Sequence, residues 1–273
     1  MTVIPQVMMN DGRTIPQFGL GVFLTRPEEV TDAVAHALAV GYRHIDTAAL
    51  YRNEAGVGAA MRASGLLREE VFVTTKVWND RHLDAPAALA ESLANLGLDY
   101  VDLYLIHWPT PWTDTYVQAW RSLIELREQG LTRSIGVSNF NEAHLRRIIG
   151  ETGVTPAVNQ IELHPTLAQV DLVAVDDSLG IRTESWSPLG RRADLDLPQI
   201  SAIAETHGRT PAQVILRWHL QRGLIVFPKS VTPSRIEENI AIFDFELSDD
   251  EMAAVNALDR GHRIGPDPET GPA

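Results

Sequence analysis

Residues 19–47 read GLGVFLTRPEEVTDAVAHALAVGYRHIDT, and this stretch predicts a strand, a helix and a second strand. The runs Gly19–Phe23 and His44–Thr47 are short and largely apolar, which is typical of buried strands. Between them, residues 28–40 carry apolar side chains at helical spacing on one face: Val30, Ala33, Val34, Ala37 and Leu38. This order predicts two parallel strands, because the helix returns the chain to the same end of the sheet.

The same alternation continues through the rest of the chain. Six further apolar runs predict strands: Val71–Val77, Val101–His107, Arg133–Val137, Ala157–Ile161, Arg182–Trp186 and Leu224–Phe227. Residues 25–28 and 248–251 resemble the capping boxes that begin helices, and Thr232 is the predicted cap of a helix whose first residue is Pro233. Eight strand–helix units in about 250 residues fit a closed (β/α)8 TIM barrel better than an open sheet.

Two further features complete the predicted α/β architecture. Asn10-Asp11-Gly12 lies between two short, partly apolar runs and predicts an N-terminal β-hairpin ahead of the barrel. The competing fold, an open dinucleotide-binding sheet, needs Gly-x-Gly-x-x-Gly between a strand and a helix. The runs that begin at Gly19 and Gly56 both lack the third glycine. No linker or repeat divides the chain, so we expect a single domain over residues 1–273.

The composition excludes several classes of function. With 23 Lys and Arg against 36 Asp and Glu, the net charge is −13, which makes nucleic acid and anionic membranes poor partners. The absence of cysteine excludes disulfides and thiolate chemistry. No apolar run approaches the roughly 18 residues that span a bilayer, and the N-terminus lacks a signal-peptide pattern. We therefore expect a cytoplasmic, soluble protein, and we also expect a monomer.

Polar residues at the ends of three consecutive strands are the candidates for catalysis. Asp46, Lys76 and His107 follow one another at intervals of 30 and 31 residues, and Tyr51 lies in the loop that leaves the second strand. In a barrel of this kind the catalytic groups lie at the carboxyl ends of the strands. A tyrosine is a weak acid near neutral pH, but a neighbouring lysine favours its phenolate. A carboxylate would fix the lysine, and a neutral histidine could orient a substrate carbonyl.

Each of these four residues alone is more often structural than catalytic. Their convergence at successive strand ends makes the catalytic interpretation the better one.

The nine histidines show no metal-binding spacing, so we expect no metal site.

Several motifs in the same order closely resemble the aldo-keto reductases. They are GYRHIDTA at residues 41–48, KVW at 76–78, LYLIHW at 103–108, GVSNF at 136–140 and PKS at 228–230. Within that family, residues 77–82 and 130–134 are most similar to the bacterial 2,5-diketogluconate reductases. The resemblance implies that Tyr51 is the general acid, that Lys76 and Asp46 tune it, and that His107 orients the carbonyl during hydride transfer. A histidine at 107, where one branch has glutamate, points to carbonyl reduction.

The resemblance also implies NADPH as the cofactor and assigns residues to it. Ser138, Asn139 and Gln160 match the ligands of the nicotinamide carboxamide, and Trp186 stands where most relatives have a tyrosine that stacks on the ring. Other positions match the segments that contact the pyrophosphate, the 2′-phosphate and the adenine: Ser187, Leu189, Arg191, Lys229, Ser230, Val231, Thr232, Arg235, Glu238 and Asn239. We expect a small, polar carbonyl compound as the substrate, in a pocket walled by Phe23, Trp78 and Trp108. The short Gly- and Pro-rich tail, residues 263–273, should line only a small part of its mouth.

Two other functions are compatible with parts of the sequence. A barrel glycoside hydrolase would use two strand-end carboxylates, and Glu162 and Glu184 lie near such positions. That hypothesis leaves Tyr51, Lys76 and Lys229 unexplained. A regulatory subunit that binds nicotinamide but turns over little is the second alternative, and the intact set of four strand-end residues argues against it.

Overall fold

The structure is a computed structural model that describes residues 4–272. Strands β1 (Gln6–Met8) and β2 (Thr14–Pro16) pair antiparallel and form the predicted N-terminal hairpin. Gly12 in its turn has a φ of 81°, which a glycine adopts without steric cost. Ile15 is fully buried among residues of the barrel interior, including Leu103 and Ile225, so the hairpin closes one end of the barrel.

Eight parallel strands follow in chain order around one curled sheet. They are β3 (Leu20–Gly21), β4 (His44–Asp46), β5 (Phe72–Val77), β6 (Val101–Ile106), β7 (Thr132–Ser138), β8 (Val158–Glu162), β9 (Arg182–Trp186) and β10 (Ile225–Val226). The first and last strands meet, because Gly19 N donates to Val226 O at 2.9 Å and Gly21 N donates to Pro228 O at 3.3 Å. The predicted eight-stranded parallel barrel is confirmed, with each predicted strand matched to within three residues at either end.

Ten helices surround the sheet or follow it within the described residues. They are α1 (Pro27–Ala39), α2 (Glu54–Ala63), α3 (Ala85–Leu96), α4 (Tyr116–Glu128), α5 (Glu142–Thr152), α6 (Val170–Ser178), α7 (Pro198–His207), α8 (Pro211–Gln221), α9 (Pro233–Ile240) and α10 (Asp249–Asn256). Helix α1 buries the five apolar side chains that the spacing predicts. None of the helices between residues 4 and 272 is both long enough and apolar enough to cross a bilayer.

The helix starts agree with the sequence in one case and differ in another. Ser248 caps α10 and accepts a hydrogen bond from Glu251 N at 3.3 Å, as the capping box predicts. The predicted capping box at Thr25 is wrong. Helix α1 begins at Pro27 after Arg26, because Pro27 needs no hydrogen-bond acceptor for its nitrogen, and the carbonyl of Thr25 instead accepts from the side chain of Asn53.

Residues 1–3 and 273 lie outside the described residues. The prediction of a single domain over residues 1–273 stays a prediction.

Close packing between α2 and α3 makes Gly58 a sensitive position, and we expect Gly58→Ala to destabilise the protein. A Cβ at residue 58 would lie 1.9 Å from the carbonyl oxygen of Leu96, so one helix must shift. Overpacking of this kind costs about 1–3 kcal/mol in free energy of unfolding. Gly150→Ala in α5 is the control, because nothing lies within 4 Å of its Cβ, and we expect a gain of roughly 0.5–1 kcal/mol. Urea denaturation measures both, and equal stabilities would contradict the packing argument.

Candidate active site

A cavity opens at the carboxyl ends of the barrel strands. Three of the four predicted catalytic residues line it directly, namely Asp46, Tyr51 and His107. Lys76 lies beneath it and is fully buried. All four arrive here because β4, β5 and β6 are neighbouring parallel strands whose ends share one rim.

An ion pair lies at the base of the cavity. Lys76 Nζ is 2.7 Å from Asp46 Oδ1 and donates a second hydrogen bond to the carbonyl oxygen of Thr47 at 2.9 Å. Burial alone would lower the pKa of Lys76, but the carboxylate of Asp46 raises it above its ordinary value. Lys76 is therefore a fixed cation beneath the cavity at neutral pH.

Tyr51 stands directly above this cation. It ends a single turn of 3₁₀-helix, Ala49–Tyr51, and its ring centroid is 5.2 Å from Lys76 Nζ. Burial raises the pKa of Tyr51 to about 12, although Lys76 acts in the opposite direction. Lys76 lowers the pKa of Tyr51, in the direction that the sequence predicts, but burial raises that pKa by more. The hydroxyl therefore keeps its proton at neutral pH.

His107 forms the neighbouring part of the cavity wall. Its ring centroid is 5.8 Å from that of Tyr51 and 5.0 Å from Trp78. Burial lowers the pKa of His107 well below its ordinary value, and the nearby charge of Lys76 lowers it further. The imidazole is therefore neutral, as the sequence argument requires. Asn139 holds the backbone of His107 by donating to its carbonyl oxygen at 2.9 Å.

A hydrogen-bonded chain forms another wall of the cavity. Trp186 Nε1 donates to Asn139 Oδ1 at 2.8 Å, and Asn139 Nδ2 donates to Ser138 Oγ at 3.0 Å. Gln160 Nε2 donates to Asp46 Oδ2 at 2.9 Å and to Glu184 Oε2 at 2.8 Å. Both amide hydrogens of Gln160 are used in this way, so only Oε1 can meet a ligand.

A second groove adjoins the cavity and contains the remaining cofactor candidates. The two share Phe23, Ser187, Pro188, Arg191 and Lys229. The groove is further lined by Leu189 from the loop after β9 and by predicted residues on both sides of the α9 start: Ser230, Val231, Thr232, Arg235, Glu238 and Asn239. Every predicted cofactor residue therefore lines either the cavity or the adjoining groove.

The cations of this groove are available to a ligand. Lys229 and Arg235 are exposed, and neither has a carboxylate within 4.0 Å among residues 4–272. Thr232 stands at the N-cap position of α9, as predicted, but it does not cap the helix with its side chain. Its side chain accepts no hydrogen bond from the helix, which leaves the N–H groups of the first turn unpaired with a side chain.

Backbone strain is concentrated around the same opening. Asn139, Ser187 and Arg191 have φ angles of 64°, 51° and 48°, in the left-handed region that residues other than glycine rarely adopt. Such conformations persist where the surrounding structure requires them, and they cluster at functional sites. No sequence pattern indicated this strain.

Comparisons with known proteins agree with the geometry. The sequence profile of the aldo/keto reductase family matches residues 17–260. The chain belongs to the aldo/keto reductase family. It is 55% identical over 271 residues to the methylglyoxal reductase DkgA of Yersinia pestis, which covers 98% of each chain. It is 54% identical over 268 residues to an aldo-keto reductase of Mycolicibacterium smegmatis, which covers 97% of this chain and 98% of the relative.

Solved structures of family members extend this match to three dimensions. The crystal structure of a Gox0644 mutant in complex with NADPH has a TM-score of 0.96 and 48% sequence identity, over 100% of both chains. The prediction of an enzyme of this family, similar to the diketogluconate reductases, is confirmed. The roles of the individual site residues stay predictions.

The predicted pocket residues Phe23, Trp78 and Trp108 all line the cavity of this aldo-keto reductase. Sequence reasoning missed Leu50, which lines it as well and could have been found as the neighbour of Tyr51. Two tail prolines, Pro266 and Pro272, also line the cavity, where the short tail was expected to contribute. Among residues 4–272, no group of three or more acidic and histidine side chains is arranged to hold a metal ion.

Neither carboxylate of the glycoside hydrolase alternative is free to act. Glu162 accepts backbone hydrogen bonds from Ile264 and Gly265 at 2.7 and 2.9 Å. Glu184 is fully buried, and burial raises its pKa to about 8, so it is protonated at neutral pH. A hydrolase needs one exposed carboxylate and one exposed acid on either side of the substrate. The alternative is set aside.

The buried acid generates a testable dependence of stability on pH. The ordinary pKa of a glutamate is 4.5, so folded Glu184 retains a proton that the unfolded chain loses between about pH 4.5 and about pH 8. The stabilising contribution of that proton is complete below this range and is lost as pH rises through it. Glu184→Gln cannot ionise, so its stability relative to the wild type is expected to rise from pH 5 to pH 8.

Thermal unfolding of both proteins across this pH range provides the measurement. Asp176, whose pKa burial raises to about 7, titrates in both proteins and cancels in the difference. Glu142→Gln on the exposed side of α5 is the control and is expected to show no such slope. A difference between Glu184→Gln and wild type that is constant with pH would show that Glu184 is ionised throughout.

Proposed function

We propose that this protein reduces the aldehyde and ketone carbonyls of small polar substrates to alcohols with NADPH. The observation that carries the proposal is a single cavity that brings Tyr51 and the neutral His107 together above the buried Lys76–Asp46 pair. The relatives named methylglyoxal reductase and the NADPH complex of Gox0644 support it. Methylglyoxal-like and diketogluconate-like compounds are the proposed substrate classes.

The residues that line the cavity and the adjoining groove fit a dinucleotide such as NADPH. Trp186 offers a flat aromatic face to the nicotinamide, with its indole N–H already bonded to Asn139. Oε1 of Gln160 and the side chain of Asn139 suit the carboxamide. Arg191 and the backbone of residues 187–189 suit the pyrophosphate, and Lys229 and Arg235 suit the 2′-phosphate beside the start of α9. Glu238 and Asn239 lie toward the adenine end.

The chain supplies the proton and the orientation in this reaction. Bound NADPH supplies the hydride. Tyr51 donates its proton to the carbonyl oxygen of the substrate, and the ammonium of Lys76 stabilises the phenolate that remains. Asp46 holds Lys76 in place, and the neutral His107 orients the carbonyl by donating a hydrogen bond. Because the pKa of Tyr51 is about 12, the proton donor stays loaded across neutral and mildly alkaline pH.

The pocket walls favour small substrates. Aromatic side chains of Phe23, Trp78 and Trp108 enclose the space above Tyr51, and the ring of Phe23 is 5.0 Å from that of Tyr51. The short tail adds Pro266 to this wall. A carbonyl compound of a few carbons can reach both Tyr51 and His107 within these walls. The cytoplasmic location and the monomeric state stay predictions.

Tyr51→Phe is expected to lower the rate of carbonyl reduction by about 10²–10⁴-fold, because it removes the transferable proton. The affinity for NADPH should remain nearly unchanged, since little binding surface is lost. Steady-state kinetics with methylglyoxal and fluorescence titration with NADPH measure the two quantities. Tyr104→Phe is the control, because Tyr104 is buried in the core and does not line the cavity. Near wild-type turnover by Tyr51→Phe would remove Tyr51 from its role.

Arg235→Ala and Lys229→Gly are each expected to weaken NADPH binding about ten- to a hundredfold and NADH binding much less. Each variant loses one charge-assisted contact to the 2′-phosphate, which is worth roughly 1.5–3 kcal/mol. Arg146→Ala on the exposed face of α5 is the matched control and should bind both cofactors normally. Equal losses for NADPH and NADH would show that these residues do not recognise the 2′-phosphate.

A wild-type protein that binds NADPH but turns over no aldehyde would favour the regulatory-subunit alternative. Absorbance at the reduced nicotinamide band, followed with a reactive aldehyde, makes this distinction.

A further inference from the structure

A buried charged cluster lies beside the site and takes no part in the proposed reaction. Its centre is His164, which is fully buried between two carboxylates. Nε2 lies 3.1 Å from Glu162 Oε1, and Nδ1 lies 2.9 Å from Asp194 Oδ2. Burial alone would lower the pKa of His164, but its hydrogen bonds to the two carboxylates raise it. Each ring nitrogen faces a carboxylate oxygen, so both are placed to donate, which is the hydrogen bonding of an imidazolium.

Glu162 in turn holds the C-terminal tail. Its two oxygens accept the backbone N–H groups of Ile264 and Gly265 at 2.7 and 2.9 Å, and Arg263 Nη1 lies 3.6 Å away. Burial acts to raise the pKa of Glu162, but these hydrogen bonds and that of His164 lower it below its ordinary value. An ionised carboxylate bonded to two backbone N–H groups is a strong local anchor.

The anchored segment packs directly on Trp186 in the wall of the cavity. A Cβ on Gly265 would lie 2.3 Å from the ring of Trp186 and 2.7 Å from Glu162 Oε2, so only glycine permits this approach. The next residue, Pro266, lines the cavity together with Trp186. The position of the tail wall is therefore fixed by the bonds that Glu162 makes one and two residues earlier.

The other side of the cluster holds the loop that follows β9. Asp194 accepts from Thr166 Oγ1 at 2.9 Å and from Thr166 N at 3.2 Å, while His262 N donates to Thr166 O at 2.9 Å. Gly190 has a φ of 57°, and a Cβ there would lie 2.7 Å from the carboxyl carbon of Asp194. One imidazolium thus connects the loop that contains Arg191 with the tail that contains Pro266.

We propose that Glu162, held by His164, is a positioning residue that sets the affinity for the carbonyl substrate by fixing the tail wall of the pocket. The proposal rests on the proposed function, since it concerns the substrate of that same site. Glu162 does not line the cavity or the groove of Lys229 and Arg235, and its direct bonds are to the tail and to His164. Its loss therefore affects the tail wall first, rather than the proton donor.

The test replaces Glu162 by its isostere. In Glu162→Gln the amide presents one acceptor where the tail needs two, and the charge that pairs with His164 is lost. We expect the KM for methylglyoxal to rise about tenfold or more, with kcat within threefold of wild type and a much smaller change in the affinity for NADPH. The amide hydrogens of Ile264 and Gly265 should exchange with solvent much faster. Glu142→Gln, which removes the same charge from exposed α5, should change none of these.

A second variant keeps the test decisive if Glu162→Gln fails to fold. Gly265→Ala keeps the charges of the cluster, but its Cβ would meet both Trp186 and Glu162 Oε2 and so drive the tail outward. Its position in the tail keeps it out of the barrel core. It should raise KM in the same way and leave kcat unaffected. An unchanged KM in Gly265→Ala, a fall in kcat alone, or unchanged exchange at Ile264 and Gly265 in a folded Glu162→Gln would each overturn the proposal.

A failure of the proposed function would give a different result from a failure of the role proposed for Glu162. In that case the wild type itself would reduce no carbonyl with NADPH, whereas the exchange of the two tail amides would still report whether Glu162 anchors the tail.

Discussion

The buried pair of Lys76 and Asp46 is the interaction on which the site depends. Removing two charges from water costs several kcal/mol for each ion, and that cost is offset only where the remaining donors and acceptors are satisfied. Here the carbonyl of Thr47 and the amide of Gln160 complete the pair. The closed barrel makes this possible, because β4, β5 and β8 deliver these groups to one interior layer. A structure that lost either charge would leave the other buried and unpaired.

Every other titratable group near the pair is neutral in this state. Burial leaves His107 unprotonated, and it leaves Tyr51 and Glu184 protonated. Among these groups, Asp46 alone therefore balances the charge of Lys76. Any negative charge that develops at Tyr51 during proton donation faces an ammonium 5.2 Å from the ring centroid in a poorly solvated space, where its attraction is strong. The same burial that makes Tyr51 a weak acid at rest thus strengthens the stabilisation of its phenolate.

The sequence predicted the features that depend on local residue patterns. Apolar runs and helical spacing gave eight strands in order, and the order alone places residues 46, 76 and 107 on one rim. Capping at Thr25 was mispredicted because the nitrogen of Pro27 and the side chain of Asn53 decide where α1 begins. The anchoring of the tail by Glu162 could not be predicted, since it depends on residues a hundred positions apart that meet only after the barrel closes. Left-handed backbone at Ser187 is likewise imposed by the surroundings, whereas Asn139 is of a residue type that tolerates it.

Glu162 and Glu184 show most clearly why residue type and strand position do not determine chemistry. Both are glutamates on neighbouring strands, and both are fully buried. Glu162 meets two backbone N–H groups and an imidazolium, which lower its pKa, so it is an anion that holds the tail. Glu184 meets one amide and the negative charge of Asp46, so burial and repulsion raise its pKa to about 8. The donors that separate the two come from residues 264 and 265, which no pattern around position 162 reveals. A pair of strand-end carboxylates therefore supports hydrolytic chemistry only when the structure leaves them open to a substrate, and in this barrel one holds the tail while the other lies beneath the site.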